Sequence, residues 1–209
     1  MNKKLIKLSI VDDHKLVVDS LSKLINESGI AKITNVYYNL KSCQVGLDKE
    51  LPDVLLLDIG LPDGDGVKFC SEIMKIYPDL KIIMLTSYKE FNIAKRALHY
   101  GALGYILKNS EIEEMLIGIE TVSEGKQFLC EEINILLKEK RNEEVIWLAN
   151  REREILGYIA EGYTSKEIGN ILFISEETVR TYRRNLLIKL NARNTAEAVK
   201  KGFDMKLLG

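Results

Sequence analysis

The chain is poor in everything that would staple it or anchor it. Its 209 residues hold three Pro, three Cys, two His and one Trp, and aromatics make up 7%. Cys43, Cys70 and Cys130 are scattered with no CxxC pair, which argues against a disulfide framework and a thiolate zinc site. Two histidines, His14 and His99, are too few for a His-based metal centre. No apolar run approaches the ~18 residues that span a bilayer. The opening MNKKLIKLSIVDDH has a basic start, but its short apolar stretch runs into Asp12 and Asp13 without a small-residue cleavage site. Export is therefore not expected. These absences lead us to expect a reduced, cytoplasmic protein with no membrane partner. What is present, 46% apolar and 29% charged residues, suits a globular chain of one or two domains.

The net charge of −1 hides an asymmetry. Residues 1–130 carry 16 basic and 18 acidic side chains, for −2, whereas residues 174–206 carry 8 and 4, for +4. A local basic excess is the footprint expected of phosphate contact, although a solvated helix face gives the same count.

Hydrophobic patterning divides the chain. Strands are predicted at Leu5–Val11, Ile33–Tyr37, Val54–Leu57, Lys81–Leu85 and Gly104–Leu107, with helices near 14–27, 40–48, 65–77, 89–99 and 111–122 between them. Near-continuous apolar strands such as VLLL suit a parallel sheet covered on both faces, and the alternation implies right-handed βαβ units. The second half shows no strand and reads as helices near 131–140, 151–161, 165–172, 176–190 and 196–206. The charged stretch KEKRNEEV places a linker near 139–146.

In an open α/β sheet, ligands bind beyond the carboxyl ends of the strands. Here the first predicted strand is followed by Asp12 and Asp13, the third by Asp58, the fourth by Thr86 and the fifth by Lys108. Each alone would be a cap, a turn hydroxyl or a surface charge. Together they form a site of three carboxylates, a hydroxyl and an ammonium. Crowded carboxylates favour a hard divalent cation such as Mg²⁺. A metal-bound carboxylate can act as a nucleophile toward phosphorus, with Lys108 and Thr86 meeting the phosphoryl oxygens.

VDDH, LLLDIGLPDGDG, MLTSY and GYILK resemble the receiver domain of two-component response regulators over about residues 5–125. The resemblance implies a flavodoxin-like, doubly wound, five-stranded parallel sheet of order 2-1-3-4-5. It also implies Asp58 as phosphoacceptor and Asp12, Asp13, Asp58 and the Gly60 carbonyl as Mg²⁺ ligands. Thr86 would be the switch hydroxyl, Lys108 the phosphoryl partner and Tyr105 the switch aromatic. Asn109 stands where many relatives have Pro. Tyr88, two residues after Thr86, is bulky enough to screen the phosphoryl group from water.

In the second half, Ser175 is positioned to cap a helix whose Val179, Tyr182, Leu186 and Leu190 face a core, leaving Arg180, Arg183 and Arg184 opposite. Arg can contact guanine bidentately in the major groove, although Arg-rich faces also simply solubilise. Helix-start residues are expected at Asn150, Thr164 or Ser165, Ser175 and Thr195. From about 147 to 206 the pattern NREREIL, IAEG, SKEI, ISEETVRT and KLNARNTAEAV resembles the LuxR-type helix-turn-helix of the NarL/FixJ class. By position, Arg180, Thr181 and Arg184 would face bases, while Lys166, Thr178 and Arg183 would touch the DNA backbone. Val199 and Phe203 match a dimer helix.

The expected organisation is a receiver at 1–125, a linker containing a helix at 126–146, and an all-α helix-turn-helix domain at 147–209. The expected function is a DNA-binding transcription regulator that takes a phosphoryl group from a sensor histidine kinase on Asp58 and binds double-stranded DNA as a homodimer. It would be no enzyme beyond its own phosphorylation and dephosphorylation. The alternatives are an interaction adaptor and a phosphorylation-independent DNA binder. A haloacid-dehalogenase-like phosphatase needs a second Asp two residues after the nucleophile, where this chain has Gly60.

Overall fold

The computed structural model describes residues 5–140, 146–205 and 207–208. The chain folds as two compact units, Met1–Glu143 and Glu144–Gly209. The expected linker near 139–146 falls largely on residues 141–145, outside the described ones.

The first unit is built on β1 (Ile6–Val11), β2 (Ala31–Tyr37), β3 (Val54–Leu57), β6 (Lys81–Thr86), β7 (Gly104–Leu107) and β8 (Phe128–Leu129). These form one parallel sheet in the order β2-β1-β3-β6-β7-β8. β4 (Gly60–Leu61) and β5 (Gly64–Asp65) form a small antiparallel hairpin just after β3. The five expected strands are present in the expected order, and β8 makes a sixth. Two residues are too short to show a period, so β8 left no strand signal in the sequence.

The strands alternate between two cores, as period-2 geometry requires. Leu55, Leu57, Ile82, Met84, Tyr105 and Leu107 face one core. It is closed by α2 (Leu40–Leu47), α3 (Gly66–Ile76), α4 (Phe91–His99) and α6 (Glu131–Glu139). Leu8, Ile10, Val54, Leu56, Ile83, Leu85 and Ile106 face the other, closed by α1 (Lys15–Glu27) and α5 (Ile112–Ser123). With both faces covered, every residue of β3 and β7 is buried, which explains their unbroken apolar runs. Edge strand β2 is only half-buried and carries Lys32 and Asn35.

The second unit comprises α7 (Asn150–Ala160), α8 (Ser165–Leu172), α9 (Glu176–Lys189) and α10 (Thr195–Asp204) around a single core. Ile155, Ile168 and Val179 are fully buried there, with Leu186 and Leu190 close behind. α8 begins with a capping box: Glu167 accepts from the Thr164 N–H at 2.8 Å, and Thr164 Oγ1 accepts from the Glu167 N–H at 3.3 Å. Ser175 caps α9 by accepting from the Thr178 N–H at 3.0 Å. Two of the expected caps shift by one residue. α10 is capped by Asn194 rather than Thr195, and α7 starts after Ala149, where Glu152 accepts from the Ala149 N–H at 2.8 Å. The turn from α8 to α9 passes through Phe173 in the left-handed region, at φ 55°.

Candidate phosphoacceptor site and nucleic-acid surface

The register of the sheet assembles the first site. Val11 of β1 pairs with Leu57 of β3, so the residues that follow, Asp12 and Asp58, emerge side by side. β2 and β3 lie on opposite sides of β1, which makes the β1–β3 end the switch point of the sheet. β6 and β7 pair through Thr86 and Leu107, and the Lys108 N–H donates to the Thr86 carbonyl at 2.9 Å.

Asp12 and Asp58 are buried, at 1% and 4% exposure. Lys108 Nζ lies 2.7 Å from Asp12 Oδ2 and 2.7 Å from Asp58 Oδ2. Its approach to Asp58 is an aligned hydrogen bond, while Asp12 Oδ2 has no aligned donor despite the close charge. Burial acts most strongly on the Lys108 ammonium and opposes its charge. The two adjacent carboxylates of Asp12 and Asp58 together outweigh burial and raise the Lys108 pKa above the ordinary lysine value. Asp58 Oδ1 accepts from the Ile59 N–H at 2.7 Å.

The loop after Asp58 is a set of positioning contacts. Gly66, the first residue of α3, donates to the Ile59 carbonyl at 2.8 Å, and a Cβ there would lie 2.0 Å from the Asp58 carbonyl oxygen. Only glycine allows that approach. Asp65 caps α3 through the Val67 N–H at 2.7 Å. Asp63 reaches across the loop and accepts from the Leu40 and Lys41 N–H groups at 2.9 and 3.0 Å, capping α2. The slight burial of Asp63 would raise its pKa, but these backbone donors outweigh that effect and lower it. The acids of LPDGDG thus support Asp58 by fixing two helix starts, a role the motif alone did not disclose. Gly60 sits in the β4–β5 hairpin opposite Asp65. The Tyr88 hydroxyl lies 3.0 Å from the position a Gly60 Cβ would take.

Thr86 is fully buried, and its Oγ1 accepts from the Tyr88 N–H at 3.3 Å. Tyr105 is fully buried too, and its hydroxyl donates to the Tyr88 carbonyl at 2.7 Å. Burial, reinforced by the neighbouring Glu90 carboxylate, raises the Tyr105 pKa far above that of a free phenol. Thr86 and Tyr105 thus both hold the same short segment.

Asp12, Asp13, His14 and Asp58 offer possible ligand atoms that all lie within 4.8 Å of one another. His14 Nδ1 lies 3.1 Å from Asp12 Oδ1 and 2.9 Å from Asp13 Oδ1. Sequence reasoning missed His14 as a site residue; its one signal is adjacency to the acidic pair.

The second surface lies on α9. Val179 and Leu186 turn inward, whereas Arg180, Arg184 and Thr178 are exposed and Thr181 is half-buried. Arg180 is 63% exposed and is ion-paired to Glu176 one turn earlier at 2.7 Å. Thr178 Oγ1 and Ser175 Oγ lie 2.7 Å apart, and Thr181 Oγ1 donates to the Glu177 carbonyl at 3.1 Å. Lys166 is exposed on α8. Arg183 behaves differently: it is half-buried and donates to the Tyr163 carbonyl at 2.6 Å, binding α9 to the loop before α8. Burial lowers its pKa.

A parallel sheet with this acidic, lysine-bridged end, joined in sequence to a helix-turn-helix unit, defines a response regulator. The response regulator receiver domain matches residues 8–120, and the LuxR family of bacterial regulatory proteins matches residues 147–201. The chain belongs to the two-component response regulators of the NarL/FixJ class, which are DNA-binding transcription regulators.

Among its relatives is the oxygen regulatory protein NreC of Staphylococcus epidermidis, 32% identical over 97% of this chain and 99% of that protein. The response regulator protein VraR of Staphylococcus aureus is 31% identical over 97% and 99%. The DNA-binding transcriptional activator DevR/DosR of Mycobacterium tuberculosis is 28% identical over 97% and 96%. Among solved structures, Salmonella enterica serovar Typhimurium RcsB, bound to a promoter in the presence of phosphomimetic BeF₃⁻, gives a TM-score of 0.68 at 24% identity. That match covers 95% of this chain and 98% of RcsB, and it supports the fold. Among the described residues, no helix is long and apolar enough to cross a membrane.

Proposed function

We propose that Asp58 is the phosphoacceptor through which a sensor histidine kinase controls DNA binding by this regulator. The observation that carries the reading is the convergence of Asp12, Asp58 and Lys108 at 2.7 Å separations beyond β1, β3 and β7. An Asp58 carboxylate oxygen attacks phosphorus, the P–N bond to the kinase histidine breaks, and an acyl phosphate forms as the imidazole leaves. Lys108 meets the new phosphoryl charge from the β7 side, and the Thr86 hydroxyl donates to a phosphoryl oxygen. The donor set is mostly hard oxygen and suits Mg²⁺, with Asp12, Asp13, Asp58 and the Gly60 carbonyl as its ligands. Bound there, Mg²⁺ supplies positive charge to the transferring phosphoryl oxygens. The protein gains and loses its own phosphoryl group but turns over no separate substrate.

Arg180, Thr181 and Arg184 form the base-reading face of α9, and Lys166, Thr178 and Arg183 the backbone-contacting set. Two copies bind one double-stranded site, with Val199 and Phe203 of α10 at their contact. The receiver extends through β8 and α6, a short linker follows, and the DNA-binding domain occupies 147–209; the protein acts in the cytoplasm. DNA pull-down with sequencing, run on wild type and Asp58→Ala after phosphorylation, tests this. Enrichment of one operator set by wild type and its loss in the variant are expected. Equal enrichment removes the phospho-switch and leaves the DNA reading.

A further inference from the structure

α9 carries one large aliphatic side chain that its own unit does not use. Ile188 is 74% exposed and takes no part in the core, whereas its neighbour Leu187 packs against that core. Ile188 stands two residues beyond buried Leu186, and at about 100° per residue the helix turns it away from the interior. The residues that follow it are held within the unit. Lys189 pairs with Glu152 at 2.7 Å, and Leu190 is buried.

The position of Ile188 on the helix gives it a meaning that exposure alone would not. Thr181, Arg184 and Ile188 follow the i, i+3, i+7 spacing that places side chains on one face of a helix. Ile188 therefore extends, by one turn, the stripe that holds Thr181 and Arg184. As a β-branched residue it forms helix less readily than Ala, Lys or Arg, so α9 gains nothing locally from it. In the major groove, the C5 methyl of thymine is the apolar group that a base edge presents, and apolar side chains recognise it.

From this juxtaposition we propose that Ile188 packs against the C5 methyl of a thymine and so specifies one A·T pair in each half-site. The inference deepens the base-reading assignment of Arg180, Thr181 and Arg184 and rests on it. Ile188 lies about 6 Å along the helix from Arg184, at about 1.5 Å per residue. That length is about two base-pair steps of about 3.4 Å, so the thymine is expected about two pairs from the base Arg184 contacts.

The test uses the full-length protein and the operator recovered by DNA pull-down. Each thymine of a half-site is replaced in turn by deoxyuridine, which removes the methyl and leaves the hydrogen-bonding edge intact. Wild type, Ile188→Ala and Arg184→Ala are titrated against the set. At one thymine, wild type is expected to lose about three- to tenfold in affinity, the effect of one buried methyl. Ile188→Ala is expected to bind the thymine operator more weakly by a similar factor, to lose nothing more on deoxyuridine at that position, and to keep its Tm. Arg184→Ala is expected to bind more weakly yet still respond to that methyl. An Ile188→Ala protein that binds as tightly as wild type refutes the inference. So does one that loses affinity but stays as sensitive as wild type to every deoxyuridine, which would put Ile188 at another contact, such as that between two copies. In either case an Arg184→Ala loss leaves the base-reading face standing. If Arg184→Ala and Ile188→Ala both bind like wild type, that reading falls as well.

Discussion

Gly66→Ala is the sharpest steric test of how the acidic site is positioned. The added Cβ would lie 2.0 Å from the Asp58 carbonyl oxygen and 2.9 Å from both the Asp58 carbonyl carbon and Ile59 Cα, against an ordinary contact of at least 3.4 Å. The shortfall of about 1.4 Å is against backbone on both sides, so no side-chain rotation relieves it. Either α3 retreats or the Asp58 peptide moves. Overpacking of this kind costs about 1–3 kcal/mol of stability. Displacing a reacting group by ~1 Å costs about 10²-fold in rate. The control is Gly157→Ala, mid-helix in α7 with nothing within 4 Å of its added Cβ. It is expected to stabilise its unit by about 0.5–1 kcal/mol and leave phosphorylation unchanged. The assay is the initial rate of phosphorylation by acetyl phosphate with Mg²⁺, alongside thermal unfolding. A Gly66→Ala protein that phosphorylates at the wild-type rate with an unshifted Tm would refute the argument.

Four further outcomes follow from the site. Lys108→Met leaves the buried Asp12 and Asp58 without their shared cation, so the variant is expected to lose about 3–5 kcal/mol without divalent ions and to recover part of it as Mg²⁺ is added; a Tm insensitive to both changes contradicts this. The raised Lys108 pKa gives the loss a pH window: the lysine contributes fully below its unfolded value near 10.5, and that contribution disappears as pH rises through the higher folded value. The wild-type-minus-variant stability difference should then be flat from about pH 6 to 9 and narrow only in strong alkali. Tyr88→Ala uncovers the space beside Gly60 and is expected to shorten the phosphoprotein lifetime; decay no faster than wild type rules out screening by the ring. Arg180→Ala and Arg184→Ala should each cost about 1–3 kcal/mol of specific DNA binding at unchanged stability. Arg183→Ala, which frees the Tyr163 carbonyl, should also lower the Tm of the second unit, and an unshifted Tm would place Arg183 wholly on the DNA side.

Much of this architecture was legible because burial on both faces forces long apolar strands. VLLL and KIIMLT could hardly be anything but central parallel strands, and the chemistry-bearing residues follow directly after them. Asp12, Asp58, Thr86 and Lys108 are therefore visible from strand ends alone, before any contact is known. What escaped was either too short or too distant in sequence. β8 is two residues long and pairs with Gly104 and Tyr105, a partnership no local period encodes. Asp63 caps a helix that starts 23 residues earlier. Helical spacing groups Arg183 with Arg180 and Arg184, yet the Tyr163 carbonyl, 20 residues upstream, claims its guanidinium. The shifted caps have separate causes: at α10 the adjacent polar residues Asn194 and Thr195 compete for one position and Asn194 takes it, whereas at α7 the position falls to Ala149, which has no side-chain cap, and Glu152 meets its N–H instead.

The most direct measurement is intact mass and peptide mapping after incubation with acetyl phosphate and Mg²⁺, with operator affinity read on the same samples. A single addition of about 80 Da is expected, located at Asp58 and accompanied by tighter DNA binding. Its loss is expected in Asp58→Ala and on chelation. A modification at another residue, or unchanged affinity in fully modified protein, would contradict the account.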